Sequence, residues 1–164
     1  MNAIQNRTAI IALGDANLRD AGTGQYLLEL ISEIELPGNA DVYNCGISTE
    51  CIENDIQLYN RVILLTAHNH GDAAGEILFT TIASDMESVL KGLPSPLQRI
   101  KDQLIKLYTS TSRNREVEWI LIGIEPKSIL PGATISDDVI KAAPKVLNFI
   151  SDLLQESAQK QTVS

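Results

Sequence analysis

"RVILLTAHNHG" (residues 61–71) begins as a buried strand and ends as a polar turn. Val62–Leu65 is the unbroken apolar run expected of a parallel sheet covered on both faces. It gives way to His68 and His70, the only two histidines of the 164-residue chain. Working outward, "TAIIALG" (8–14) and "VEWILIGIEP" (117–126) read as strands of the same kind, the second as the clearest central one. "ADVYNCG" (40–46) and "GEILFTTI" (75–82) read as two more.

Helical spacing fills the gaps. In "QYLLELISEI" (25–34), Tyr26, Leu27, Leu30, Ile31 and Ile34 share one face, and Pro37–Gly38 ends the helix. "IENDIQLYN" (52–60) suits a short helix. Ser95 as cap and Pro96 at the first position open a helix through Tyr108, with Leu97, Ile100, Leu104 and Leu107 on its apolar side. "STSRNRE" (110–116) reads as a polar loop. Ser136, followed by Asp137 and Asp138, opens the last helix, whose stripe is Val139, Ala143, Val146, Leu147, Ile150 and Leu154. Pro144 falls inside that stripe and predicts a kink or a break. Strands alternating with helices predict an α/β fold, a three-layer α/β/α sandwich with a mostly parallel sheet. A single domain over residues 1–155 and a flexible tail over 156–164 follow.

Composition narrows the function. At 44% hydrophobic residues the chain can bury a real core, and a net charge of −8 with no basic–aromatic pattern argues against nucleic acid and against an anionic membrane. The apolar runs are too short to span a bilayer, and the N-terminal segment enters a strand with no signal-peptide pattern, so a cytoplasmic protein is expected. Cys45 and Cys51 lack CxxC spacing and a second pair, and in a reducing compartment they read as free thiols.

Ligands of such sheets bind beyond the carboxyl ends of the strands, which singles out the loops 14–24, 44–52 and 66–75. "GDANLRDAGTG" (14–24) has glycines before a helix but neither GxGxxG nor a P-loop lysine, and Asp15 and Asp20 would repel phosphate. His68 and His70, at i and i+2, would point the same way on a continued strand and share a metal with Asp72, helped by Asp15 or Asp20; as two polar loop residues they need no metal. No GxSxG motif and no histidine next to a cysteine points to a nucleophile.

The order of motifs resembles the hydrogenase maturation endopeptidases. "LGDANLRDAGTG" matches their first glycine-rich loop, "CG" and "IENDI" their second segment, and "VILLTAHNHGDAAGEILF" their third strand and following loop. "SPLQRIKDQL" matches a Pro-Leu helix, and "WILIGIEPKSILPGATISDDVIKAA" the last strand and helix. The resemblance implies a phosphorylase/hydrolase-like α/β/α fold and cleavage of the C-terminal extension of a nickel–iron hydrogenase large subunit. It also implies three metal ligands: a first-loop acid, a strand-end aspartate and a histidine ahead of the Pro-Leu helix. Those positions fall on Ala21, Thr66 and about Leu93. Alanine and leucine have no donor atom, and threonine offers only a neutral hydroxyl.

Three readings stay open. One is a catalytically degenerate member with no catalytic residue, whose groove of Asp15, Asp20, Ala21, Gly22, Glu53, Asn54, Thr66 and Leu93 receives the C-terminal segment of a hydrogenase large subunit. Gly24, Gly71, Gly75 and Glu76 shape the surrounding backbone. Another is a metallo-hydrolase relocated to His68, His70 and Asp72, using nickel or another divalent metal. The last is a small-molecule module on the first loop.

Overall fold

The computed structural model describes residues 6–37, 39–84, 86–113 and 115–163. Its five strands are β1 (Thr8–Leu13), β2 (Ala40–Gly46), β3 (Arg61–Ala67), β4 (Ile77–Thr81) and β5 (Glu118–Ile124). They form one sheet in the order β2-β1-β3-β5-β4. Neighbours among β1, β2, β3 and β5 are parallel, whereas β4 runs antiparallel to β5 at the edge.

The α-helices are α1 (Thr23–Ile31), α2 (Glu50–Glu53), α3 (Met86–Lys91), α4 (Lys101–Ser112) and α5 (Asp137–Val163). Because successive strand residues face opposite ways, each buried strand feeds two cores. Ile10, Ile63, Leu65, Ile120, Ile122 and Ile124 pack with Leu27 and Ile31 of α1 and with the stripe of α5 from Val139 to Leu154. Ala9, Ile11, Leu13, Val62, Leu64, Trp119 and Leu121 face the other way, onto Ile52, Val89, Leu90, Leu97, Leu104 and Leu107. This is the three-layer sandwich expected from the alternation of elements.

Gly24 lets α1 come down onto the sheet. A Cβ there would lie 2.5 Å from the Leu13 carbonyl oxygen and 2.6 Å from that of Leu65, too close for any side chain. Its position in the first loop therefore serves packing.

Several local expectations are corrected. Helix α1 ends at Ile31, well before Pro37, and Gly38 lies outside the described residues. Ser95 does not cap a helix: Ser95–Ile100 forms a 3-10 segment with Pro94 as its cap, and the α-helix follows and continues to Ser112, into the expected loop. Pro144 does not split α5, which runs on through it, and the ring is exposed rather than part of the apolar stripe. Helix α5 runs to Val163, and Ser164 lies outside the described residues. Among the described residues no helix is long and apolar enough to cross a membrane.

Candidate functional site

The first loop is locked by its own backbone. Gly14 N–H donates to the Gly46 carbonyl (2.9 Å), Asp15 to Ala21 (2.9 Å), Leu18 to Asp15 (3.1 Å) and Ala21 to Leu18 (3.0 Å). Asn17 N–H donates to the Asp15 carboxylate at 2.9 Å, while Arg19 and Asp20 reach across to the carbonyls of Gly132 and Ser128. These bonds commit the amides of Gly14, Asp15, Asn17, Leu18, Arg19, Asp20 and Ala21 to the loop's own fold and its neighbours.

Asp20 is a latch. Its buried carboxylate accepts the backbone N–H of Lys127 (2.8 Å), the backbone N–H of Ser136 (2.8 Å) and the Ser136 hydroxyl (2.7 Å). Ser136, expected as a capping acceptor for α5, instead donates its hydroxyl to Asp20. Asp20 thus ties the first loop to the start of α5 through three donors on one carboxylate.

The three positions that the resemblance assigns to metal ligands are all interior. Ala21 is 1% exposed, Thr66 0% and Leu93 3%. The Thr66 hydroxyl donates to the Ala67 carbonyl at 2.9 Å, and Leu93 belongs to the core with Val89, Leu90 and Leu97. Nickel does not fit here: two hydrocarbon side chains and one internally bonded hydroxyl make no donor set. Among the described residues no group of three or more His, Cys, Asp or Glu is arranged to hold a metal ion.

The two histidines differ. His68, 2% exposed, directs Nε2 to the Val89 carbonyl at 2.9 Å. A carbonyl only accepts, so Nε2 carries hydrogen and is unavailable to a metal. The ring lies in space that Gly92 and Gly123 leave open: a Cβ on Gly92 would collide with its Cε1 and Nε2, and one on Gly123 would lie 2.5 Å from its Cβ. Burial lowers the His68 pKa, with the His70 charge acting the same way and the Val89 carbonyl and Glu125 opposing. His68 Nδ1 faces His70 Nδ1 at 3.3 Å, and His70 Nε2 lies 3.4 Å from Asp72 Oδ2. Of the expected trio, then, His70 and Asp72 come together, the His70 side chain largely buried and Asp72 exposed, and His68 stands behind them.

Glu125 was missed in the sequence. Buried just past β5, it accepts the backbone N–H of His70 (2.9 Å) and of Asp72 (3.0 Å) on one oxygen, Oε1. The available signal was parallel pairing: Ala67 sits opposite Ile124, so the next residue of each strand, His68 and Glu125, emerge side by side.

Glu53 and Asn54 lie at the end of α2, both exposed. Glu53 Oε1 is 2.9 Å from the Thr49 hydroxyl, which also meets Gln103 Oε1 at 3.0 Å. The expectation of two free thiols is overturned: Cys45 and Cys51 form a disulfide with their Cα atoms 5.6 Å apart. The left-handed turn at Gly46 (φ +61°) and the Ser48 N–H to Cys45 carbonyl bond fold the chain back, bringing Cys51 within bridging range.

Comparison with known proteins places this architecture. No protein-family model matches the sequence, and no curated protein matches it. Solved structures do. The hydrogenase maturating endopeptidase HybD from E. coli superposes with a TM-score of 0.79 at 18% identity, covering 92% of this chain and 93% of that one. The NiFe hydrogenase maturation protease HybD from Thermococcus kodakarensis gives 0.74 at 22% identity, covering 90% and 99%. A hydrogenase 2 maturation peptidase from a Thaumarchaeota archaeon gives 0.66 at 21%, covering 91% and 98%. The chain has the fold of the hydrogenase maturation endopeptidases over nearly its whole length, as the order of its motifs implied.

Proposed function

We propose that this chain is a non-cleaving relative of the hydrogenase maturation endopeptidases. It receives the C-terminal segment of a nickel–iron hydrogenase large subunit, or of a protein of that kind, at the carboxyl edge of its sheet. One observation carries the reading: where the resemblance calls for three metal ligands stand buried Ala21, Thr66 and Leu93, none with a usable donor. The fold around them is kept almost end to end relative to proteins named for hydrogenase maturation, which favours retention of a partner-facing surface after loss of the inherited metal centre.

The test is fluorescence anisotropy with a labelled peptide that spans the C-terminus of a hydrogenase large subunit, read with and without nickel and followed by mass spectrometry of the peptide. Binding is expected to be saturable, unchanged by nickel, and to leave the peptide whole. Nickel-dependent cleavage, or no binding by either the peptide or the intact precursor, contradicts the proposal.

A further inference from the structure

We propose that the outer edge of β4 and the cleft beside it take an extended peptide as a sixth strand of the sheet. This is where the partner's C-terminal segment lies, an inference that rests on the reading above. Hydrogen-bond direction leads to it. The Glu125 N–H donates to the Glu76 carbonyl at 2.9 Å, so the β5 amides that face β4 are those of Glu125, Gly123 and Leu121. Gly123 pairs with Leu78 and Leu121 with Thr80. Ile77 and Phe79 fall between these pairs and turn their N–H and C=O groups outward. Neither has a main-chain partner on that side among the described residues. The strand, Ile-Leu-Phe-Thr-Thr, carries no charge and no proline, two of the devices that close an exposed edge to pairing.

Beside that edge, β4 and α5 border a cleft of about 690 Å3. At one end Gly75 lies against α5, where a Cβ would sit 2.7 Å from the Asp138 carbonyl oxygen. Further along, Phe79 meets Phe149 with ring centroids 4.0 Å apart. Strand and helix therefore run the same way along the cleft, for about 13 Å, the reach of about four residues of extended chain. Lys141 and Lys145 line it between those two contacts, both exposed and neither ion-paired among the described residues. Asp138 is answered by Lys127 at 3.9 Å. The other acids of the cleft, Glu76 and Asp152, stand beyond its two ends, which leaves its middle positive.

These features select the occupant. A strand paired to Ile77 and Phe79 sets the side chains opposite them on the α5 face. One of them rests on the Phe79 and Phe149 rings and is apolar; the other, two residues away, meets the lysines and is a carboxylate. A second copy of this chain does not supply that pattern, because its own edge strand holds no carboxylate.

The experiment combines fluorescence anisotropy with amide NMR of the full chain, using the labelled peptide from the C-terminus of a hydrogenase large subunit. Lys141→Glu/Lys145→Glu changes two exposed positions of a long helix and should bind the peptide about tenfold more weakly than wild type. The Ile77 and Phe79 amides should shift, and become protected from hydrogen exchange, only when peptide is present. Equal affinity of wild type and the double variant, with both amides unprotected, overturns this site and leaves the peptide-binding reading in place. Failure of the peptide to bind wild type removes both. Concentration-dependent dimerisation that protects the same amides without peptide assigns the edge to a second copy and also overturns the proposal.

Discussion

The Asp20 carboxylate and the Ser136 backbone N–H, 116 positions apart in sequence, meet at 2.8 Å. A residue that looks like part of a reactive acidic loop is a joint between that loop and α5.

Removing the joint should cost stability. Asp20→Ala strands the Lys127 and Ser136 N–H groups and the Ser136 hydroxyl in a buried place, and unsatisfied donors of this kind cost about 1–3 kcal/mol each. Allowing for partial rescue by water, urea denaturation should show a loss of about 2–4 kcal/mol. A loss below about 0.5 kcal/mol would return Asp20 to the functional acids.

Gly123→Ala tests the histidine pocket. The new methyl would press on the His68 Cβ, 2.5 Å away, and such overpacking costs about 1–3 kcal/mol. Combining it with His68→Gly, which removes that Cβ, should be less damaging than the sum of the two single changes, because the clash is then gone. Strict additivity in the double-mutant cycle would place the imidazole elsewhere.

The Cys45–Cys51 bridge closes a short loop, for which chain entropy gives about 2 kcal/mol. Alkylation without reductant should leave both residues unlabelled, while Cys45→Ser/Cys51→Ser should lower the unfolding midpoint by an amount that reduction of wild type reproduces. Two labelled cysteines in the untreated protein would contradict the bridge.

Leu93→Ala addresses whether the position that the resemblance assigns to a histidine is core. Deleting a buried leucine in contact with the Val89–Leu97 cluster should cost about 2–4 kcal/mol. A negligible change would mean that the position is still a solvent-lined ligand slot.

Much of the architecture was legible. Strands β1, β3 and β5 read as continuous apolar runs because helices cover both faces of the sheet, and the stripe of α5 survived as drawn. The antiparallel direction of β4 was not legible, since an apolar run looks alike in either sense. Helix α3 escaped because only Val89 and Leu90 of its six residues are buried, too few to show a period. Pro144 misled because its exposed ring sits in a long amphipathic helix whose buried stripe outweighs one missing hydrogen bond. The site divides similarly. That the ligand positions implied by the resemblance fall on Ala21 and Thr66 could be read directly, but the inequality of His68 and His70 could not. It arises from Gly92, Gly123 and Glu125, residues remote in sequence that the sheet brings to the end of β3.

Intact-mass analysis of a nickel-loaded large-subunit precursor incubated with the purified chain tests the central claim most directly. The account expects a complex that co-elutes on size exclusion with the C-terminal extension still attached, at every nickel and zinc concentration tried. Appearance of the shortened precursor and the released peptide in proportion to added protein, and not in its absence, would contradict it.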